Sequence, residues 1–183
     1  MNVVKTPIEG VLLIEPRVFS DSRGAFFETF NEKALTEIGI TARFVQDNQS
    51  ISKKGVIRGL HLQHPPYEQG KLVRVARGSV LDVALDLRAG SPTFGRHYSV
   101  ELNQENQLSL WIPPGFAHGF VALEEDTVFL YKVTNYYHPQ SESGIIYNDV
   151  DLNIDWKVTN PIVSEKDKIL PSFKEFCLAK TNI

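Results

Sequence analysis

Between positions 43 and 133 short β-rich runs follow one another with no stretch between them long enough for a crossover helix. The runs fall at 43–51, 55–63, 72–76, 80–87, 96–102, 107–112, 119–123 and 127–133. They are punctuated by Gly78, Gly90-Ser-Pro, Pro113-Pro-Gly and Glu124-Glu-Asp. Strands this closely spaced leave no room for the crossover helices of a βαβ fold. With the run at 25–30 and an edge or exchanged strand at 8–15, closed by Pro16, about ten strands predict an all-β sandwich or barrel.

Helices are few in this reading. Residues 31–38 have Asn31 as N-cap, Glu32 in the first turn, apolar Ala34, Leu35 and Ile38, and Gly39 as the left-handed stop. Two more short helices, at 164–170 and 171–179, are expected to pack on the outside, with 171–183 as a peripheral helix and tail. The 183 residues, 42% of them hydrophobic, suffice for one core, and residues 1–183 are expected to form a single domain. A net charge of -3, without blocks of like charge, argues against a partner that is a nucleic acid polymer or a membrane surface. The amino terminus has no apolar signal core, and its longest aliphatic run, 11–14, is far short of a membrane span. Cys177 is the only cysteine, which excludes an intrachain disulfide and suits a reducing, cytoplasmic compartment.

Chemistry concentrates at 55–71. On a regular strand Arg58 and His61, three residues apart, point to opposite faces. Gly59 lies between them, where a bulge could bring both to one mouth. Lys71 opens the next strand. The plain alternative is an ordinary strand with a surface arginine and a histidine satisfied by its neighbours. Upstream, Gln46, Asn48 and Ser50 alternate with Asp47 and Gln49, so this strand is polar on both faces and reads as the wall of a wet cavity. A glutamate, Glu28, shares a face with Phe26 and Phe30 and needs a partner or a ligand hydroxyl.

A metal would have to use His61, His64, Glu68 and His118. An i, i+3 spacing followed by prolines does not aim His61 and His64 at one point, so no metal is expected. His118, after the Pro113-Pro-Gly turn, is expected at the mouth, either bonded to loop backbone or donating to a phosphate or sugar oxygen. Tyr131 has inward parity, as a core residue or as an acid opposite a histidine base. At the strand exit Tyr136 or Tyr137 could stack on a base. Ser164 and Asp167 fit a capping box; alternatively Asp167 reaches a histidine, raises its pKa and orients it.

Taken together these blocks resemble the dTDP-4-dehydrorhamnose 3,5-epimerase family, from about Thr6 to about Leu170. The carriers are Asp21-Ser-Arg-Gly24 with Phe26-Phe-Glu28, Gln46-Asp-Asn48, Arg58-Gly-Leu-His61, Gln69-Gly-Lys71, Ile112-Pro-Pro-Gly-Phe-Ala-His-Gly-Phe120, Tyr131-Lys-Val-Thr-Asn-Tyr-Tyr137 and Ser164-Glu-Lys-Asp167. The resemblance implies a cupin-type jelly roll, a homodimer, no cofactor, and a dTDP-4-keto-6-deoxysugar as substrate. It makes His61 the base with Asp167 as its dyad partner, Tyr131 the acid, and Lys71 the neighbour of the C4 oxygen. It assigns Arg23, Phe26, Glu28, Gln46, Asn48, Arg58, His118 and Glu142 to the nucleotide and sugar, Tyr137 to thymine, and Lys166 to the same site. Leu62 stands where the family commonly has an aromatic, a change expected to affect packing more than chemistry. An epimerase acting at one carbon, or a ketoisomerase, could share the same base and lysine.

Overall fold

The computed structural model describes residues 1–181, with residues 182 and 183 of the expected tail lying outside the described residues. In its front half, β1 (Asn2–Lys5) and β2 (Leu12–Glu15) precede a small hairpin of β3 (Phe19–Asp21) and β4 (Gly24–Phe26), then helix α1 (Glu32–Glu37). Eight strands follow: β5 (Gln46–Ser52), β6 (Val56–Gln63), β7 (Lys71–Arg77), β8 (Ser79–Asp86), β9 (His97–Asn103), β10 (Ser109–Ile112), β11 (Phe116–Ala122) and β12 (Thr127–Val133). The chain closes with β13 (Glu142–Gly144), β14 (Ile162–Val163), α2 (Glu165–Lys168) and α3 (Phe173–Thr181).

Two sheets face each other as a jelly-roll sandwich without closing into a barrel. One runs β1-β2-β10-β7-β12-β5; the other runs β13-β6-β11-β8-β9, with β14 added parallel to β6. Val73, Val75, Leu110 and Phe129 from the first sheet meet Val80, Ala84, Leu102 and Phe120 from the second, and this is the central core. The outer face of each sheet is covered as well. Leu35 and Ile40, from α1 and its exit, pack on Ile14, Leu72 and Trp111, while Ile145, Leu152, Trp156 and Phe176 pack on Ile57, Val83, Leu85 and Val121. A strand buried on both faces loses the apolar–polar alternation, which is why 80–87 is apolar on both faces apart from the buried Asp82 and Asp86.

Several local expectations hold. Asn31 caps α1, its side chain accepting from the Ala34 N–H, and Gly39 takes a φ of +92° after the last turn. Ser164 likewise accepts from the Asp167 N–H at the start of α2. Others change. The apolar run at 8–15 is a strand only over Leu12–Glu15, because Gly10 turns the chain at φ +89° and Thr6 Oγ1 donates to the Ile8 and Val11 carbonyls. The sheet edge is β1, and β2 lies inside it. The run expected at 25–30 is a strand only to Phe26, since the β3–β4 hairpin pairs with itself and no larger sheet carries it further. The strand polar on both faces, β5, is the opposite edge of the first sheet, with residues 47, 49 and 51 turned to solvent.

Candidate active site

Pairing of β6 with β11 sets His61 opposite His118 and Arg58 opposite Phe120, so three steps on β6 match two on β11. The extra residue falls between Arg58 and His61 and returns both side chains to one face. Gly59 takes a φ of +122° there, and a Cβ on it would sit 2.5 Å from Gly119 Cα and 2.7 Å from the His118 carbonyl oxygen. No residue but glycine fits so close an approach of two backbones.

The bulge aims Arg58 and His61 into a cavity of about 530 Å³ between the sheets, which Lys71, His118, Tyr131, Ser50, Lys166 and Asp167 also line. That is the size of a small-molecule site. A chamber of about 110 Å³ shares His61, Lys71 and Tyr131 with it and extends past Gln63 and Gln69 to Tyr137 and Glu142.

Asp167 projects from the first turn of α2, 3% exposed, and its Oδ1 lies 2.7 Å from His61 Nε2. The capping reading and the functional one both hold, because Ser164 takes the Asp167 backbone N–H and leaves the carboxylate to the histidine. The Gly59 N–H donates to the other oxygen at 3.4 Å. Burial works to raise the Asp167 carboxyl, but the His61 hydrogen bond and charge overcome it and hold the carboxyl below the ordinary aspartate value. A carboxylate fixed in this way fixes the ring that it holds.

Lys71 enters from the first strand position of β7, with Nζ 3.5 Å from the His61 carbonyl oxygen. Desolvation pushes its ammonium down to about 8, against the opposing pull of Asp82 and Glu142. Tyr131, on β12, is also desolvated, which raises its phenol above the ordinary value and keeps it protonated at neutral pH; Arg58 opposes the shift and Glu142 adds to it. Among the described residues its hydroxyl has no hydrogen-bond partner within the protein.

Other expected residues form the rim. Glu142 accepts at one carboxylate oxygen from the Tyr137 hydroxyl, at 2.7 Å, and from the Lys166 ammonium. Burial favours the neutral Glu142, yet these two bonds keep it ionised and below the usual glutamate value. Gln46 and Asn48 share the inward side of β5 with Ser50 and bond to each other at 2.8 Å, and Gln46 Oε1 accepts from the Tyr137 N–H. Arg58 Nε donates to Ser52 Oγ at 3.2 Å.

Two expectations need restating. His118 is at the cavity floor and not its mouth: 7% exposed, it lies within β11, which starts at Phe116 rather than after the histidine. Its Nε2 is 2.9 Å from Asp82 Oδ2, so no loop backbone satisfies that nitrogen. Arg23, Phe26 and Glu28 do not reach the cavity of their own chain. Arg23 pairs with Asp21 on the exposed hairpin, Phe26 is 67% exposed, and Glu28 accepts from Asn31 Nδ2. His64 also turns elsewhere, to Ser143 Oγ at 2.7 Å.

Sequence reasoning passed over Asp82, whose signal is its place in the apolar strand Leu81-Asp-Val-Ala-Leu-Asp86, where a carboxylate must find a partner. It also passed over Gln63, whose side-chain oxygen accepts from the His138 N–H and whose amide donates to the Tyr67 and Tyr136 carbonyls, tying down the Tyr136–Tyr137 segment.

A sandwich with a carboxylate-bound imidazole, a protonated phenol and an ammonium in one cavity belongs among isomerases that work by moving protons. Comparison with known proteins narrows the class. A family model described as dTDP-4-dehydrorhamnose 3,5-epimerase matches residues 5–175, and the chain belongs to that family. It is 54% identical over 168 residues to the dTDP-4-dehydrorhamnose 3,5-epimerase of Shigella flexneri, spanning 91% of this chain and 93% of the relative. Among solved structures, that of dTDP-4-dehydrorhamnose 3,5-epimerase from Elizabethkingia anophelis superposes with a TM-score of 0.92 at 51% identity, covering 96% of this chain and 97% of the other. The Legionella pneumophila dTDP-6-deoxy-D-glucose-3,5-epimerase, in complex with dTDP-4-keto-L-rhamnose, gives 0.91 at 49% identity over 94% of this chain and 93% of the other.

Proposed function

We propose that this chain, one domain over residues 1–183, converts dTDP-4-dehydro-6-deoxy-D-glucose to dTDP-4-dehydro-L-rhamnose by inverting C3 and C5. Loss of a proton from either carbon gives an enolate whose charge rests on the same C4 oxygen, so one site can serve both centres. His61, oriented by Asp167, removes the proton. Lys71 holds the C4 oxygen as charge builds on it, and a donor of this kind contributes about 3 kcal/mol to the barrier. Tyr131 returns a proton on the opposite face, and its raised pKa suits an acid that must be loaded at neutral pH. The convergence of His61, Lys71 and Tyr131 on one cavity, with Asp167 2.7 Å behind the imidazole, is the observation that carries this reading.

Arg58 is the cavity's own cation for the diphosphate, because a guanidinium can grip phosphate oxygens in two places. Gln46, Asn48, Glu142 and Lys166 lead outward from it, and Tyr137, 53% exposed, is placed to stack on thymine. His118 meets the sugar from the floor. Arg23, Phe26 and Glu28 serve the site of a second subunit in a homodimer. Support comes from the hairpin that carries Arg23 and Phe26: Phe19 and Phe26 lie opposite each other on it, both largely exposed, and it joins neither of the two larger sheets. The chemistry assigned here calls for no redox cofactor, since nothing is oxidised overall. A reducing cytoplasm suits the single cysteine, and no helix among the described residues is long and apolar enough to cross a membrane.

Incubation with dTDP-4-dehydro-6-deoxyglucose in D₂O tests the reaction. Deuterium is expected at both C3 and C5 of the product; label confined to one carbon would make the protein a single-position epimerase.

A further inference from the structure

The carboxylates around the cavity are accounted for, except one. Asp167 is taken up by His61, and Glu142 by Lys166 and Tyr137. Asp86, on the same strand as Asp82, is held by Arg88, Ser91 and Thr93. Asp82 is 0% exposed and has only His118 as a partner, through Oδ2; its Oδ1 is buried with no hydrogen-bond partner among the described residues. A bare carboxylate oxygen away from water is costly unless a cation nearby compensates it. His118 is not that cation: desolvation lowers its pKa, Lys71 and His61 lower it further, and the pull of Asp82 does not restore it.

We propose that Asp82, which does not line the cavity, is a positioning residue that supplies the fixed counter-charge of Lys71 and sets the tautomer of His118. This inference rests on the function proposed above, in which the Lys71 ammonium meets the C4 oxygen. The charged and titratable groups that share the cavity with Lys71 are His61 and Arg58 from β6, His118 from β11, Tyr131 from β12, Glu142 from β13 and Lys166 and Asp167 from α2, while Asp82 acts on it from β8 behind His118. Three of them are carboxylates; Glu142 is neutralised by Lys166 and Asp167 is taken up by His61, so the task of keeping Lys71 charged falls to Asp82. The same carboxylate accepts the His118 Nε2–H. A neutral imidazole held in this way presents the Nδ1 lone pair to the cavity, so His118 accepts from a sugar hydroxyl instead of donating to a phosphate.

The test is the pH dependence of kcat/KM in the wild type and in Asp82→Asn, which keeps the shape and an acceptor for His118 but removes the charge. The alkaline limb set by Lys71 is expected to move down by about one pH unit. Activity at pH 8 then falls several-fold while activity at pH 6 stays within about twofold of the wild type. A merely structural carboxylate would lower the whole profile and leave the limb in place, and that result overturns the proposal. Melting temperature and dTDP binding establish that the variant is folded. If it is not, the wild type alone decides through ¹⁵N spectra of its histidines: Nε2–H with unprotonated Nδ1 at His118 is expected, and the opposite tautomer contradicts the proposal. Absence of any exchange in the wild type would instead refute the underlying function, a separate failure.

Discussion

Replacing His61 by alanine is expected to abolish deuterium exchange at both C3 and C5 while leaving dTDP binding close to that of the wild type. One imidazole is asked to take both protons, so its loss removes the base from each half-reaction at once. A positioned base contributes roughly 10²–10⁴ in rate. The loss is expected at the upper end, because Asp167 lies on the far side of the missing ring, 3% exposed and aimed at His61. Binding should survive, since Arg58, Gln46, Asn48 and Tyr137 lie outside the pair and are held by other contacts. Single-turnover exchange followed by NMR measures the first quantity and dTDP titration the second. Exchange that persists at one carbon would assign that carbon to a second base, and His118 would be the first to test.

Lys71→Met is expected to lower kcat by about 10²–10³, the usual cost of removing one oxyanion donor. The variant's stability relative to the wild type should also change with pH, because the fold holds Lys71 as a desolvated cation. The sign follows from its depressed pKa. The ammonium titrates at about 8 in the folded chain against 10.5 as an ordinary lysine, so the fold disfavours the charged form. That penalty is present in full below pH 8 and is relieved as the pH rises from 8 toward 10.5, where the unfolded chain binds more protons than the folded one. The wild type should therefore gain stability relative to Lys71→Met across that window. A residue kept at a cost to stability in the middle of a cavity is retained for function. Thermal melts at pH 7 and pH 10, with kcat at pH 7, make the comparison. Full kcat in the variant would contradict the oxyanion role, and a stability difference that is the same at pH 7 and pH 10 would contradict the desolvated ammonium.

Much of this site is legible in the sequence because it depends on local rules. Gly59 between Arg58 and His61 points to a bulge, since residues three apart on a strand cannot otherwise share a face, and the register shift against β11 lies there. Asn31 and Ser164 cap their helices as their spacing predicts. Asp167 could be read as a cap or as a partner for histidine, and the fold uses its backbone for one and its side chain for the other. What stays hidden depends on contacts distant in sequence. No spacing tells that Asp82 meets His118, 36 residues away on a neighbouring strand. The place of His118 at the floor depends on where β11 begins, and the proline turn before it hides that start. For Arg23, Phe26 and Glu28 the sequence offers residue types suited to a phosphate and a sugar, but not the hairpin that holds the first two away from their own cavity.

The central claim is that one hexose ring lies between His61 and Tyr131 with its C4 oxygen against Lys71. A crystal structure of the protein with dTDP-L-rhamnose, whose C4 hydroxyl stands in for the ketone, measures this most directly. The account predicts O4 within hydrogen-bonding distance of Lys71 Nζ, His61 on one face of the ring and Tyr131 on the other. A sugar seated outside the cavity, or with both residues on the same face, would contradict it.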